Sequence, residues 1–251
     1  MFNQVRIVLV ETSHPGNIGA SARAMKNMGF NKLVLVNPCD HLCSEAIARS
    51  SGAGDLLESA LVVKNLTEAL TDCQYVIGAS ARLRAIETPV VNARQGAHIL
   101  KQQSLTGEVA VVFGRERTGL TNSELDHCQQ LLNIPTQGDY FSLNLAMAVQ
   151  VVSYELLMAF QDTEKIKSNT RQIASSDILT GLFEHLDQML IDIGFADKRY
   201  SNKLFRRLKR LFYRAELDTE EVNLLRGIFS AAQGRKSMKK RGENNDKTRH
   251  P

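Results

Sequence analysis

Apolar, β-branched runs recur along the first two thirds of the chain, at Val5–Val10, Leu33–Val36, Tyr75–Ala79, Val109–Phe113 and Leu131–Ile134. Segments with helical spacing lie between them, for example Ile18–Met28 and Ser44–Ser51. Strands alternating with helices specify βαβ units, and hence an α/β domain whose mainly parallel sheet carries helices on both faces. Three of these runs end in turns of Gly, Asn, Ser or Pro: Glu11–Met25, Val112–Leu120 and Ile134–Ala148. Loops at strand ends are where an α/β sheet binds ligands. In the first and third segments the loop opens into a helix, whose free N–H groups suit anionic or carbonyl ligands. Three such loops in one domain point to one composite site.

The last helix of this region, from about Ser142 to Phe160, is apolar on nearly every side, with Leu143, Leu145, Met147, Val149, Val151, Val152, Leu156, Leu157 and Phe160. Such a helix must be buried, and a subunit interface is a natural place to bury it. The polar stretch from Gln161 to Ser176 reads as a linker. Residues 177–233 then read as helical throughout. Lys203 to Arg214 interleaves Leu204, Phe205, Leu208, Leu211 and Phe212 with six basic residues, an apolar stripe for a small core beside a basic stripe for solvent. Asp218 and Glu220–Glu221 open a final helix to about Ala232. The basic tail from Arg235 to Pro251 is too polar to build a core and is expected to be disordered.

The expected organisation is therefore residues 1–163, an α/β domain; 164–176, a linker; 177–234, a helical domain; and 235–251, a tail. Charge divides at the same boundary. Residues 1–163 hold 12 Lys and Arg against 15 Asp and Glu, a net of −3, whereas residues 164–251 hold 19 against 12, a net of +7. That asymmetry suggests that the C-terminal part meets a polyanion; a solvated basic face is the plainer alternative. No apolar run approaches the ~20 residues of a membrane helix, and the N-terminus has no signal-peptide cleavage pattern, so a cytoplasmic location is expected by elimination. Cys39 and Cys43 flank His41, but no second ligand pair stands at a metal-binding spacing, so no metal is expected and the thiols are expected to be reduced.

Taken singly, the chemical groups are ambiguous. His14–Gly19 is neither a Walker loop, lacking Gly-Lys-Ser/Thr, nor the GxGxxG dinucleotide fingerprint. Gly16 and Gly19 would allow close backbone approach to a ligand. Arg23 stands four residues beyond Gly19, where it either projects back to the loop or makes a surface ion pair. Thr121 and Glu124 have the spacing of a capping box. Arg115, Glu116 and Arg117 also fit a solvated charge run, and Ser142 or Asn144 a simple helix cap.

In order, however, these residues form a pattern: Asn17, Gly19 and Arg23; then Phe113, Gly114, Glu116, Gly119 and Leu120; then Ile134, Pro135, Ser142, Leu143 and Asn144. It resembles the three motifs of SPOUT-class RNA 2′-O-ribose methyltransferases. Adding Ser80–Arg82 and the segments around Asn202–Phe212 and Val222–Phe229, it resembles the tRNA cytidine/uridine-2′-O-methyltransferases of that class. The resemblance implies an α/β fold with a C-terminal trefoil knot, followed by a small helical domain. It implies S-adenosylmethionine as cofactor, held by Ala79, Ser80, Ala81, Gly114, Ile134, Phe141, Ser142 and Leu143. Catalytic roles would fall to Arg23, Ser142, Asn17 and Glu116, in a homodimer whose active sites draw on both subunits. The substrate would be the ribose of cytidine or uridine at the first nucleotide of the tRNA anticodon loop. Arg82, Arg84 and Arg115 are candidates for clamping RNA, and Lys203, Arg206, Arg207, Lys209 and Arg210 for gripping the tRNA body. The alternatives are the same chemistry on another RNA, such as ribosomal RNA, or a non-enzymatic RNA-binding module. Intact Arg23, Asn17, Glu116 and Ser142 argue against the last.

Overall fold

In the computed structural model, residues 2–81, 88–137, 142–162, 173–196 and 201–234 are described. Arg82, Arg84, Phe141, most of the expected linker and the basic tail lie outside them. Seven strands form one sheet: β1 (Val5–Val10), β2 (Lys32–Val36), β3 (Leu61–Val63), β4 (Cys73–Ala79), β5 (Val90–Asn92), β6 (Glu108–Phe113) and β7 (Gln130–Asn133). Their order is β3-β2-β1-β6-β4-β7-β5, and every pairing is parallel. β3 and β5 are absent from the sequence reading. Both are three-residue edge strands whose side chains are largely exposed, so no apolar run marks them.

Helices cover both faces, and the central strands divide their residues between them. Val5, Ile7 and Leu9 of β1, with Val109, Val111 and Phe113 of β6, face one core. That core includes α1 (Pro15–Asn27), α2 (Ser44–Ser50), α3 (Gly54–Glu58), α5 (Ala93–Gln103) and α7 (Leu145–Gln161). Val8 and Val10, with Ala110 and Val112, face α4 (Leu66–Ala69) and α6 (Asn122–Leu125) on the other side. Both strands are therefore buried along almost their whole length, the reason they read as unbroken apolar runs. β6, β4 and β7 are adjacent in that order, so the loops leaving them lie together at the carboxyl ends of the strands, where such sheets bind ligands.

Three helices follow: α8 (Ser176–Asp192), α9 (Ser201–Ala215) and α10 (Thr219–Ala232). Leu179, Leu182, Phe183, Leu186, Val222 and Phe229 form their own core. The final helix opens at Asp218 as the sequence predicts, and Asp218 and Glu221 close a capping box on it. This domain rests on the first: Arg206 Nε donates to Asp126 Oδ2 at 3.0 Å, and the Tyr213 hydroxyl to the Asp126 carbonyl at 3.3 Å. All four cysteines are free; burial pushes the Cys73 thiol up to about 12, leaving it unreactive. Among the described residues, no helix is long and apolar enough to cross a membrane.

Candidate active site

The site is built from the loops after β4, β6 and β7, with the loop after β1 and the start of α1 bracing them from behind. Pro15 opens α1, where its fixed φ suits a helix start and its missing N–H costs nothing. Gly16 and Gly19 on this helix face a neighbour rather than a ligand, correcting the sequence reading. A Cβ at Gly19 would lie 2.1 Å from the Ala46 carbonyl oxygen of α2, and one at Gly16 would lie 3.0 Å from Glu45 Oε1. The Gly-x-x-Gly pattern lets α1 press directly onto α2, main chain against main chain at Gly19, fixing the loop from behind.

The loop after β6 turns back sharply. A Cβ at Gly114 would meet the Gly119 carbonyl carbon at 2.2 Å, and Gly119 sits at φ +69°, which favours glycine. Arg115 braces this turn. Its Nε donates to Glu11 at 2.8 Å, and its two terminal nitrogens donate to the Glu124 carboxylate at 3.1 and 3.0 Å. Hydrogen bonds to Glu11 and then Glu124 hold the guanidinium firmly protonated. Glu124 also accepts from Thr121 N at 2.7 Å, completing the expected capping box on α6. Arg115, expected as an RNA clamp, thus has its donors committed to two carboxylates of the scaffold.

Glu116, the next residue, joins the loops. Its carboxylate accepts from Ser13 N at 3.3 Å, Ser13 Oγ at 3.1 Å, His14 N at 3.2 Å and Asn17 Nδ2 at 3.1 Å. Burial pulls its pKa upward, but these hydrogen bonds, that from Asn17 foremost, hold it below the ordinary carboxylate value. Asn17 Oδ1 accepts in turn from Asn144 Nδ2 at 2.9 Å, while Asn144 Oδ1 caps α7 through Ala146 N at 3.0 Å. One chain of hydrogen bonds therefore runs from β6 through α1 to the start of α7. The donors on Ser13 and His14 are missed by sequence reasoning because two of the three are backbone groups, and only loop geometry reveals them.

Around this scaffold lies a cavity. Ala79, Ser80, Ala81, Gly114, Ile134, Ser142 and Leu143, drawn from the loops after β4, β6 and β7, all line it, together with Leu132, Leu145 and Ala148. Ser80 N donates to Leu132 O at 2.9 Å, and Asn133 Nδ2 donates to Ser80 O at 2.9 Å, pinning the loop after β4 to β7. Leu132, Ile134, Leu145 and Ala148 give the cavity apolar lining, and residues 79–81 and 114–119 complete it. Arg23 does not line this cavity: it is exposed on α1. On α7, Met147, Tyr154 and Met158 are exposed by 62, 47 and 44%, and Leu143 just ahead of the helix by 38%, an apolar stripe that starts at the cavity.

Helix α9 differs from the expected solvent-facing basic stripe. Arg206 pairs with Asp126, and Lys209 lies over the Phe183 and Phe205 rings at 5.3 and 5.1 Å. Lys203 and Arg207 are exposed and Arg210 is half-buried. The reason is that Asp126 and the aromatic rings offer partners on the face that also carries the apolar stripe.

A parallel sheet with its cavity at the carboxyl ends of β4, β6 and β7 is the ligand-binding arrangement of open α/β folds, and comparison with known proteins supplies the class, that of the SpoU methylases. The SpoU rRNA methylase family matches residues 4–154, and the C-terminal domain of tRNA methyltransferase TrmJ matches residues 177–244. The tRNA (cytidine/uridine-2′-O-)-methyltransferase TrmJ of Photorhabdus laumondii is 47% identical over 93% of this chain and 98% of its own. The tRNA (cytidine/uridine/adenosine-2′-O-)-methyltransferase TrmJ of Pseudomonas aeruginosa is 46% identical over 93% and 95%. The crystal structure of TrmJ from Z. mobilis superposes with a TM-score of 0.79 at 31% identity, covering 90% of this chain and 97% of that one. The chain belongs to the SpoU methylase family, in its TrmJ branch.

Proposed function

We propose that the chain methylates the ribose 2′-oxygen of cytidine or uridine at the first nucleotide of the tRNA anticodon loop, using S-adenosylmethionine, as a cytoplasmic homodimer. The observation that carries the reading is the convergence of Ala79, Ser80, Ala81, Gly114, Ile134, Ser142 and Leu143 on one cavity. Its lining fits the cofactor: Leu132, Ile134 and Leu145 offer an apolar bed for a purine, and segments 79–81 and 114–119, which line it too, carry polar groups for its edges. When bound, S-adenosylmethionine supplies a methyl group activated by its sulfonium. The chain's own residues have to align the 2′-oxygen and manage its proton, and alignment alone is worth much of such a displacement.

Ser142, at the cavity rim, is the hydrogen-bond partner on the proton path. A guanidinium does not give up its proton in a protein, so Arg23 serves instead to hold the neighbouring phosphate and to stabilise charge developing on the oxygen. Arg23 lies outside the cavity of its own subunit, and the apolar stripe of α7 stands open beside it. A partner subunit on that stripe would bring a second Arg23 to each cavity. The Glu116–Asn17–Asn144 chain positions the three loops, and Glu116 also lines the cavity. The trefoil knot of the family is part of this reading, as the means of holding the loops after β4, β6 and β7 together.

The test is incubation of the purified protein with unmodified tRNA transcripts and labelled S-adenosylmethionine, followed by nucleoside mass spectrometry. A 2′-O-methylated cytidine or uridine at the start of the anticodon loop is expected. Absence of label on tRNA, with cofactor binding intact, would overturn the tRNA reading in favour of another RNA.

A further inference from the structure

The cations of α9 divide between two faces. While Arg206 and Lys209 turn to Asp126 and the aromatic core, Arg207, Arg210 and Arg214 recur at i, i+3 and i+7, a single stripe. That stripe forms one wall of a cleft of about 640 Å³, within the roughly 300–1,000 Å³ range of ligand sites. The opposite wall comes from the first domain: Tyr75 of β4, Gln130 of β7, and Pro89 ahead of β5. Tyr75 stands four residues before Ala79 on β4, so at about 3.3 Å per residue the cleft lies roughly 13 Å from the methyl-transfer cavity, at the other end of the strand.

Two features of the cleft define its ligand. First, three guanidiniums line it against the one carboxylate of Glu216, and the planar guanidinium fork matches phosphate oxygens. Second, the side-chain oxygen Oε1 of Gln130 is buried and has no hydrogen-bond partner among the described residues. A buried acceptor calls for a donor. Phosphate diester oxygens supply anionic charge but no such donor; a ribose hydroxyl or a base amine does. A sugar–phosphate unit brings both.

We propose that the cleft between the helical domain and the amino ends of β4 and β7 binds a sugar–phosphate unit of tRNA remote from the methylated nucleotide, with Arg207 and Arg214 on the phosphates and Gln130 accepting from sugar or base. The inference rests on the tRNA reading above and gives that substrate a second point of attachment. Because one wall belongs to each domain, RNA in the cleft binds the docked arrangement that Arg206, Tyr213 and Asp126 hold.

The test uses the full chain and fluorescence-detected binding of tRNA across a salt series. Arg207 and Arg214 are exposed, so Arg207→Gln/Arg214→Gln is expected to fold normally and bind S-adenosylmethionine as before. Its plot of log affinity against log salt is expected to be shallower by about 2, one for each phosphate that no longer meets a guanidinium. The Arg207→Lys/Arg214→Lys pair retains the charges and should restore most of the slope. Gln130→Leu should weaken tRNA binding several-fold with the slope unchanged. An unchanged slope in the double glutamine variant would overturn the proposal. Inorganic phosphate displacing tRNA at millimolar concentration, with Gln130→Leu without effect, would overturn it in favour of a free-anion site. Methyl transfer by the unaltered chain reads the proposed function separately: transfer intact with the slope unmoved sinks the cleft alone, whereas no tRNA binding by the unaltered chain sinks both.

Discussion

Asn17 and Glu116 are separated by 99 positions in the chain and meet at 3.1 Å, and Asn17 hands the contact on to Asn144 at 2.9 Å. Glu116 is the hub, because four donors from the loop after β1 and the first turn of α1 converge on its carboxylate. Glu116→Ala removes their acceptor. Leaving partly buried donors unpaired costs about 1–3 kcal/mol, so calorimetry should find a clear drop in Tm. Turnover should fall by more than the stability loss explains, since the loops carrying Arg23 and Ser142 lose their common anchor. A variant with normal Tm and normal turnover would remove Glu116 from the scaffold.

The same carboxylate gives the fold a pH dependence. Its pKa in the folded state lies below the ordinary 4.5, so its contribution is complete above that value and is lost as pH falls through the folded pKa. Glu108, buried but held down by Lys32 and Arg6, acts in the same direction. Urea melts from pH 7 to pH 3 should therefore show stability falling below about pH 4.5, and Glu116→Gln should make that fall shallower. A fall of unchanged steepness in the variant would assign the effect to Glu108 and the remaining carboxylates.

Two glycines separate scaffold from surface. At Gly114 an added methyl meets main chain at 2.2 Å, and at Gly19 it meets the Ala46 carbonyl at 2.1 Å. Neither obstacle is a flexible side-chain end, so the backbone itself must move. Gly19→Ala should destabilise by about 1–3 kcal/mol, the usual range for overpacking, by forcing α1 off α2. Gly114→Ala should act more locally, abolishing cofactor binding by displacing the turn while much of the Tm is retained. Calorimetry and a cofactor titration on both variants separate the two outcomes.

The five longer strands were legible because their residues are buried on both sheet faces, which leaves an unbroken apolar run in the sequence. Leu61–Val63 and Val90–Asn92 were not, because an exposed three-residue edge strand leaves no period to read. The caps at Thr121 and Asp218 could be read because capping is a local interaction between residues three apart. The roles of Gly19, Arg115 and Lys209 could not. Each is set by a partner distant in sequence, namely Ala46, Glu11 and Phe183. A glycine beside a candidate ligand loop, or a cation in a basic run, looks the same in sequence whether it meets a ligand or the protein itself.

The exposed stripe of Met147, Tyr154 and Met158, with Leu143 just ahead of it, lies on the helix that also begins at the cavity. If it joins two subunits with shared sites, Met147→Glu should yield a monomer by sedimentation with little methyl transfer. Subunit complementation is the sharper measurement. Arg23→Ala and Ser142→Ala should each be inactive alone, yet regain up to a quarter of normal activity once mixed and allowed to exchange. Recovery is expected because a mixed dimer holds one cavity with both groups intact. No recovery, with exchange verified, would place Arg23 and Ser142 in the same subunit's site.

The contact of the two domains should itself respond to pH. His127 is largely buried beside Lys209; burial first, then the Lys209 charge, lowers its pKa from 6.5, while Asp126 and Glu124 pull the other way. A histidine held neutral in the folded state resists protonation, so its docking is fully favourable above the unfolded value and weakens as pH falls through 6.5 towards the folded pKa. Protonation there would add a third cation to Lys209 and Arg206, next to the Arg206–Asp126 pair at 3.0 Å. Limited proteolysis between the domains should accelerate from pH 7.5 to pH 5.5, and His127→Gln should flatten that change. Asp126→Asn should raise the rate at every pH, because it weakens the charge-assisted bond to Arg206 whatever the state of His127. A rate that is pH-independent in the unaltered chain but raised in Asp126→Asn would leave the ion pair as the latch and remove the histidine from it.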